Sequence, residues 1–406
     1  MTGRGGKPAL SAGLFLLLAL AAGLGQGNLH IILPALGGLA RDFDVPFGTA
    51  QLSLTLTMLA MAVTTLFAGV LADRFGRRPV FLAGLVLLIA GGVVAVLAGA
   101  IWQVVAGRMV QGAGGVSLLV VGRAILRDRA RGRAAARGMS YLVIGQALGP
   151  AVSPVIGSVI LQFGDWRGVI AFPTAIGLAL LVAALRGLEE TSAPGARARP
   201  GAFWPQAAGL LGRAEFWLAT AVGTATLSIF FSLITSGSWA VSEKFGLSPM
   251  AFAMLMLTFS ASFVAGNYAN GRLVERFGPI ALMSASGPGV MAAVAVFALL
   301  FAGAPPVWAY LPPSALFAFS NGFLLANSVT LAISIDPRLA GTASGLVLFF
   351  QLVVSGIASQ LVGMRLPVDD LPVVTVALLL AAAVLAVSLL LIRRLSDRYL
   401  AQEARV

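Results

Sequence analysis

Cysteine is absent from this chain of 406 residues. Disulfides, thiol nucleophiles and thiolate metal sites are thereby excluded. Histidine occurs once, at His30, and no HExxH or paired Cys/His pattern is present to hold a metal. Charge is scarce. Charged residues make up 10% of the chain, where soluble domains carry about a quarter. Acids are the scarcer sign, 15 against 27 basic residues. There is no GxxxxGK[ST] loop to cradle a nucleotide and no stretch polar enough for a soluble catalytic domain. These absences argue against an enzyme, against ATP-driven work and against a bound cofactor.

What fills the chain is apolar: 59% hydrophobic residues and a mean hydropathy of +0.95. A helix needs about 20 such residues to cross a bilayer. Twelve segments qualify, at roughly 10–36, 49–72, 79–99, 101–125, 138–163, 167–187, 216–240, 249–271, 279–303, 307–334, 341–364 and 371–394. They are too long, and too evenly apolar, for barrel strands of about 9–11 alternating residues. The expected fold is an all-α membrane protein with short connections and antiparallel neighbours. The first segment resembles a secretory signal, with Arg4 and Lys7 ahead of it. Its apolar run exceeds the ~7–15 residues of a signal core, so it is read as an uncleaved span; cleavage would leave eleven.

Lys and Arg fix the expected orientation. Alternate connections hold Arg4 and Lys7; Arg74, Arg77 and Arg78; the six arginines from Arg123 to Arg137; Arg186, Arg197, Arg199 and Arg213; Arg272 and Arg276; Arg338; and Arg393, Arg394, Arg398 and Arg405. That is 22 of the 27 basic residues. Basic connections stay in the cytoplasm, which places both termini there. The net charge of +12 is thus a topology signal, and a nucleic-acid partner is rejected.

Gly69-Val70-Leu71-Ala72-Asp73-Arg74-Phe75-Gly76-Arg77-Arg78 forms a charged turn between spans two and three. A variant, Gly271-Arg272-Leu273-Val274-Glu275-Arg276-Phe277-Gly278, follows 202 positions later, near half the chain length. The chain therefore reads as two six-helix bundles, residues 1–187 and 213–406, joined by a cytoplasmic linker at 188–212. The linker's Glu189 to Pro200 stretch has the composition of a flexible connector, and Phe203 to Leu211 that of a short surface helix.

Within the spans, polar residues are few. Arg108 lies in the fourth span with Gln111 one turn on. A buried arginine is costly in lipid and marks a cavity or a partner, unless it snorkels to the surface. His30, in the first span with Gln26 on its face and Asn28 flanking, either carries a proton or serves as a neutral hydrogen-bonding residue. No Asp or Glu lies mid-span. The fifth span carries Gly145, Gly149, Pro150, Pro154 and Gly157. Its glycines allow close helix approach and its prolines bend the helix. Asn321 in span ten is among the polar residues able to line a cavity.

These motifs resemble the major facilitator superfamily. Gly69 to Arg78 is similar to its loop signature between helices two and three, and Arg108-x-x-Gln111-Gly112 to its helix-four motif. Gly145 to Gly157 resembles the helix-five motif of drug:proton antiporters. Leu33-Pro34-Ala35-Leu36, Asp165-Trp166-Arg167 and Gly341-Thr342-Ala343-Ser344 are similar to the bicyclomycin/chloramphenicol-resistance branch. The resemblance implies two pseudo-symmetric bundles that rock to give alternating access, with helices one, four, seven and ten around the substrate. It implies a conformational latch in which Asp73 faces the N-terminus of helix eleven near Gly341 and Arg77 pairs with Asp128. The second copy of the signature, with Pro279 in place of Arg77, is a lesser latch. One departure stands out: His30 occupies the position where branch members carry an acid.

The expectation is an inner-membrane exporter without a cofactor that exchanges protons for a small amphiphilic compound, neutral or anionic, and acts as a monomer. His30 and Arg108 are the candidates for proton coupling or substrate charge, and Gln26, Gln111 and Asn321 for the cavity. A metabolite importer or uniporter on the same fold is the alternative, and a non-transporting receptor or scaffold the remote one.

Overall fold

A computed structural model describes residues 12–129, 132–191, 203–302, 306–336, 339–366 and 371–403. Residues 192–202 of the expected linker lie outside the described residues. All described secondary structure is helical: α1 Ala12–His30, α2 Leu36–Asp42, α3 Phe47–Phe75, α4 Arg77–Val96, α5 Ile101–Arg129, α6 Gly132–Phe163, α7 Trp166–Gly187, α8 Phe203–Leu211, α9 Ala214–Trp239, α10 Pro249–Phe277, α11 Pro279–Ala302, α12 Leu311–Ser334, α13 Ala340–Arg365 and α14 Leu371–Glu403. Twelve stretches are long and apolar enough to cross a membrane. The first runs from Gly13 to Asp42 and takes in α1, a 3-10 turn at Leu33–Ala35 and α2. Pro34 lacks the N–H that would continue α1, so the helical face that carries Gln26 and His30 stops short of it.

Helix ends follow local chemistry. Asp165 caps α7 by accepting from the Arg167 and Gly168 amides, at 2.9 and 3.4 Å. Pro249 opens α10, where a missing N–H costs nothing. Gly76 and Gly278 turn the chain with φ of +104° and +76°, a region open to glycine without strain. They occupy equivalent positions of the repeated motif. Beside them, Arg74 lies over the Phe75 ring and Arg276 over Phe277, each at 5.2 Å. The sequence repeat is thus a repeat of geometry.

The chain divides into two compact units. Unit 1 comprises Met1–Ile32 and Leu56–Arg199; unit 2 comprises Leu33–Thr55 and Pro200–Val406. One boundary, between Arg199 and Pro200, falls in the linker; the other two cut the first and second spans. In unit 1, α1 packs on α5 and α6, and α4 on α5 and α7, around Leu18, Phe81, Leu85, Leu118 and Leu126. Glycines set these approaches. A β-carbon at Gly149 would lie 2.9 Å from the Gly27 amide nitrogen, and one at Gly23 would lie 2.8 Å from the Gly145 carbonyl. In unit 2, α9 packs on α13 and α14, and α12 on α10 and α11. The apolar windows of spans one, four, seven and ten are 67, 72, 72 and 56% buried, against 22 to 50% for the others. These four are the most buried of the spans.

Candidate functional site

Arg108 sits on α5 with no exposed surface. It does not snorkel. Its Nη1 donates to Asn28 Oδ1 and Gln111 Oε1, both at 2.7 Å, and its Nη2 to the Asn28 carbonyl at 2.6 Å. The carbonyl is available because α1 ends at His30, which leaves last-turn oxygens without a helical donor. The negative end of the helix dipole faces the guanidinium, so α1 supplies part of the countercharge that a carboxylate would otherwise provide. Gln111 is held in turn: its Nε2 donates to Thr174 Oγ1 at 3.1 Å, and that hydroxyl donates to the Ile170 carbonyl at 2.9 Å. Arg108 Nε and Asn28 Nδ2 are buried without a protein partner. Two donor nitrogens at this cluster therefore lack an acceptor.

Of the residues read from sequence, Arg108 and Gln111 meet directly. His30 is buried and its Nδ1 lies 3.0 Å from the Gln26 carbonyl. Gln26 itself is half-buried and contributes that backbone oxygen rather than its amide. Asn28, which only flanked the face in the sequence, is the residue that clamps Arg108. Asn321 lies in unit 2 on α12, buried, with Oδ1 unpartnered.

The charged turn is a second cluster. Arg77 pairs with Asp73, and its Nε donates to Asp128 Oδ2 at 3.0 Å. Glu190 then accepts from the Arg77 and Arg78 amides, at 2.9 and 3.1 Å, and so caps α4 where Gly76 leaves no room for a side chain. Arg129 pairs with Glu189 at 2.8 Å. Glu189 and Glu190, at the start of the linker, are therefore tied to the turn and to the end of α5. In the second copy, Arg272 donates to Tyr268 Oη at 2.7 Å, and among the described residues neither Glu275 nor Arg276 forms an ion pair.

Gly145 and Gly149 pack α6 against Ala19, Gly23 and Gly27 of α1. Pro150 and Pro154 lie inside α6, and Gly157 is buried. Unit 2 holds polar contacts that the sequence reading passed over. Gln51 Nε2 donates to Thr235 Oγ1, to the Ser359 carbonyl and to Ser359 Oγ, at 2.9, 2.9 and 2.8 Å. Thr55 donates to Gln360 Oε1 at 2.8 Å, and Gln360 to the Gly48 carbonyl at 2.7 Å. A glutamine in an apolar run was the available signal; its partners, hundreds of positions away, gave none. Also within unit 2, a cavity of about 60 Å³ lies among Ser236, Phe252, Phe259, Phe297, Phe301 and Tyr310.

A sequence profile of the Major Facilitator Superfamily matches residues 15–359. The chain belongs to that superfamily. It is a secondary transporter with many membrane spans, not an enzyme. Multidrug resistance protein D of Escherichia coli K12 is 28% identical over 353 residues, which cover 86% of this chain and 88% of the relative. The chloramphenicol resistance protein of Pseudomonas aeruginosa is 26% identical over 381 residues, covering 91% of this chain and 88% of that one. Among solved structures, a bacterial homologue of the human lysosomal transporter Spinster, captured inward-facing and unoccupied, superposes with a TM-score of 0.74 at 15% identity. The match covers 92% of this chain and 94% of that one. At that identity it supports the superfamily fold alone.

Proposed function

We propose that this Major Facilitator Superfamily transporter exports a small amphiphilic compound, neutral or anionic, across the inner membrane in exchange for protons, with both termini in the cytoplasm. The observation that carries the substrate charge is Arg108, a buried guanidinium held by neutral oxygens and a helix end, with no acid among its hydrogen-bond partners. A cationic guest would meet uncompensated positive charge there, and a neutral or anionic one would meet free donors. The fifth-span glycines and prolines, and relatives whose names carry multidrug and chloramphenicol resistance, support export. His30 takes the coupling proton in this scheme, as the only titratable base near the end of α1. Gln26, Gln111 and Asn321 contact the substrate. Asp73, Arg77 and Asp128 form the latch that is made and released as the two sides open in turn.

The absence of an intramembrane acid favours a second reading, a uniporter or importer without proton coupling. Purified protein in vesicles with an imposed pH gradient separates the two. Gradient-driven uptake from a panel of amphiphiles supports antiport, and its loss in His30→Ala assigns the proton to histidine. Flux that follows the substrate gradient and ignores pH favours the uniporter.

A further inference from the structure

Span four carries a second arginine that the transport scheme leaves unused. Arg123 lies 15 residues beyond Arg108 on α5, about 22 Å along the axis at ~1.5 Å per residue. Fifteen steps of about 100° bring it within about 60° of the same helix face. Its surroundings echo those of Arg108. It is half-buried, and its Nη2 donates to Gln146 Oε1 on α6 at 2.7 Å. Among the described residues, that neutral amide is its one side-chain partner. Asp128 and Glu189, the acids of the same charged cluster, pair with Arg77 and Arg129. Arginine has five N–H donors, so donors beyond the one on Gln146 remain for a guest. Gln146 sits beside Gly145 in the fifth-span motif. The same end of α5 leads into the arginine-rich stretch from Arg123 to Arg137, which holds six arginines and one acid. Such a field concentrates anions at its mouth.

We propose that Arg123, oriented by Gln146, is a second binding station for an organic anion, occupied between the arginine-rich end of the bundle and Arg108. The station narrows the substrate class to amphiphiles with a carboxylate or similar single negative charge, and it rests on the transport reading above. Two arginines about 60° apart on one helix, each held by amide oxygens, form a two-stop path. The anion exchanges one partial solvation for another without crossing a bare apolar stretch. Neutral compounds gain nothing at Arg123.

The test uses a matched pair of aromatic probes, labelled 2-naphthoate and its neutral amide, 2-naphthamide. Binding to the purified protein is measured by equilibrium dialysis, and exchange in vesicles by counterflow. Arg123→Gln keeps a side chain able to bond Gln146 and removes the charge; Arg123→Lys keeps the charge. Loss of one charge-assisted hydrogen bond predicts naphthoate binding weakened about tenfold or more in Arg123→Gln, with naphthamide unchanged and Arg123→Lys partly restored. Equal losses for both probes, no change for either, or a parent that fails to bind naphthoate would overturn the station. Naphthoate bound in an Arg123-dependent way but never moved would sink the transport reading and leave the station standing. Naphthoate moved equally well by parent and Arg123→Gln would do the reverse.

Discussion

A guanidinium buried among membrane helices ordinarily meets a carboxylate, because an unpaired charge there is costly. Arg108 meets Asn28, Gln111 and the end of α1 instead. This choice leaves the site with surplus positive character, and one atom changes it. Asn28→Asp places a carboxylate 2.7 Å from Nη1 if the backbone holds. Transport of an anionic compound is then expected to weaken by about tenfold or more, the worth of one charge-assisted contact, while a neutral compound changes little. Initial rates in vesicles across a concentration series read both. A second residue-scale expectation concerns Glu190, which caps two amides at the charged turn. Removing a helix cap costs about 0.5–2 kcal/mol, so Glu190→Ala should lower the unfolding midpoint of the detergent-purified protein. Glu190→Gln, which keeps an acceptor, should recover part of it.

At the scale of the helix, small residues decide how close neighbours come. Gly145 and Gly149 let α6 touch α1 from Ala19 to Gly27, the residue before Asn28, so the fifth-span motif backs the helix that carries the Arg108 clamp. Gly149→Val would drive a β-carbon into the Gly23–Gly27 backbone. Overpacking of this kind costs about 1–3 kcal/mol. The expected result is a lower unfolding midpoint together with reduced flux. Gly187→Ala, where a β-carbon meets nothing within 4 Å, should match the parent in both. The spacing of these glycines was plain in the sequence, and so were the span lengths, because both are local properties. Which helix they abut was not, since rotation about a helix axis leaves no mark on an evenly apolar stretch. For the same reason Asn28 read as a bystander to Gln26 and His30. The two sites differ in this respect: the Asp73, Arg77 and Asp128 cluster sits at helix ends, where charge breaks the apolar background and a motif is visible.

Over the whole molecule, the repeat and the arginine asymmetry announced two bundles; the compact units part at Arg199 and Pro200, within the linker, but one early segment departs from chain order. Leu33–Thr55, early in the chain, clusters with Pro200–Val406. Polar bonds spanning 184 to 312 sequence positions hold it there, through Gln51, Thr55 and Gln360. Sequence order gives no hint of such pairings, because each partner is one polar side chain in an apolar run. In a membrane these bonds contribute about 0.6–2 kcal/mol each. That is strong enough to hold the segment on α13 and weak enough to be released during a transport cycle. If the cycle requires release, fixing the contact must stop transport. The chain's lack of cysteine makes the test direct. Thr55→Cys and Gln360→Cys replace side chains that meet at 2.8 Å, and a short bis-methanethiosulfonate reagent can join them. Flux in the joined protein is expected to fall to background and to return with dithiothreitol, while each single cysteine, treated alike, keeps its rate. Full flux with the link in place would mean that the segment travels with α13 throughout, and that the opening on this side lies elsewhere.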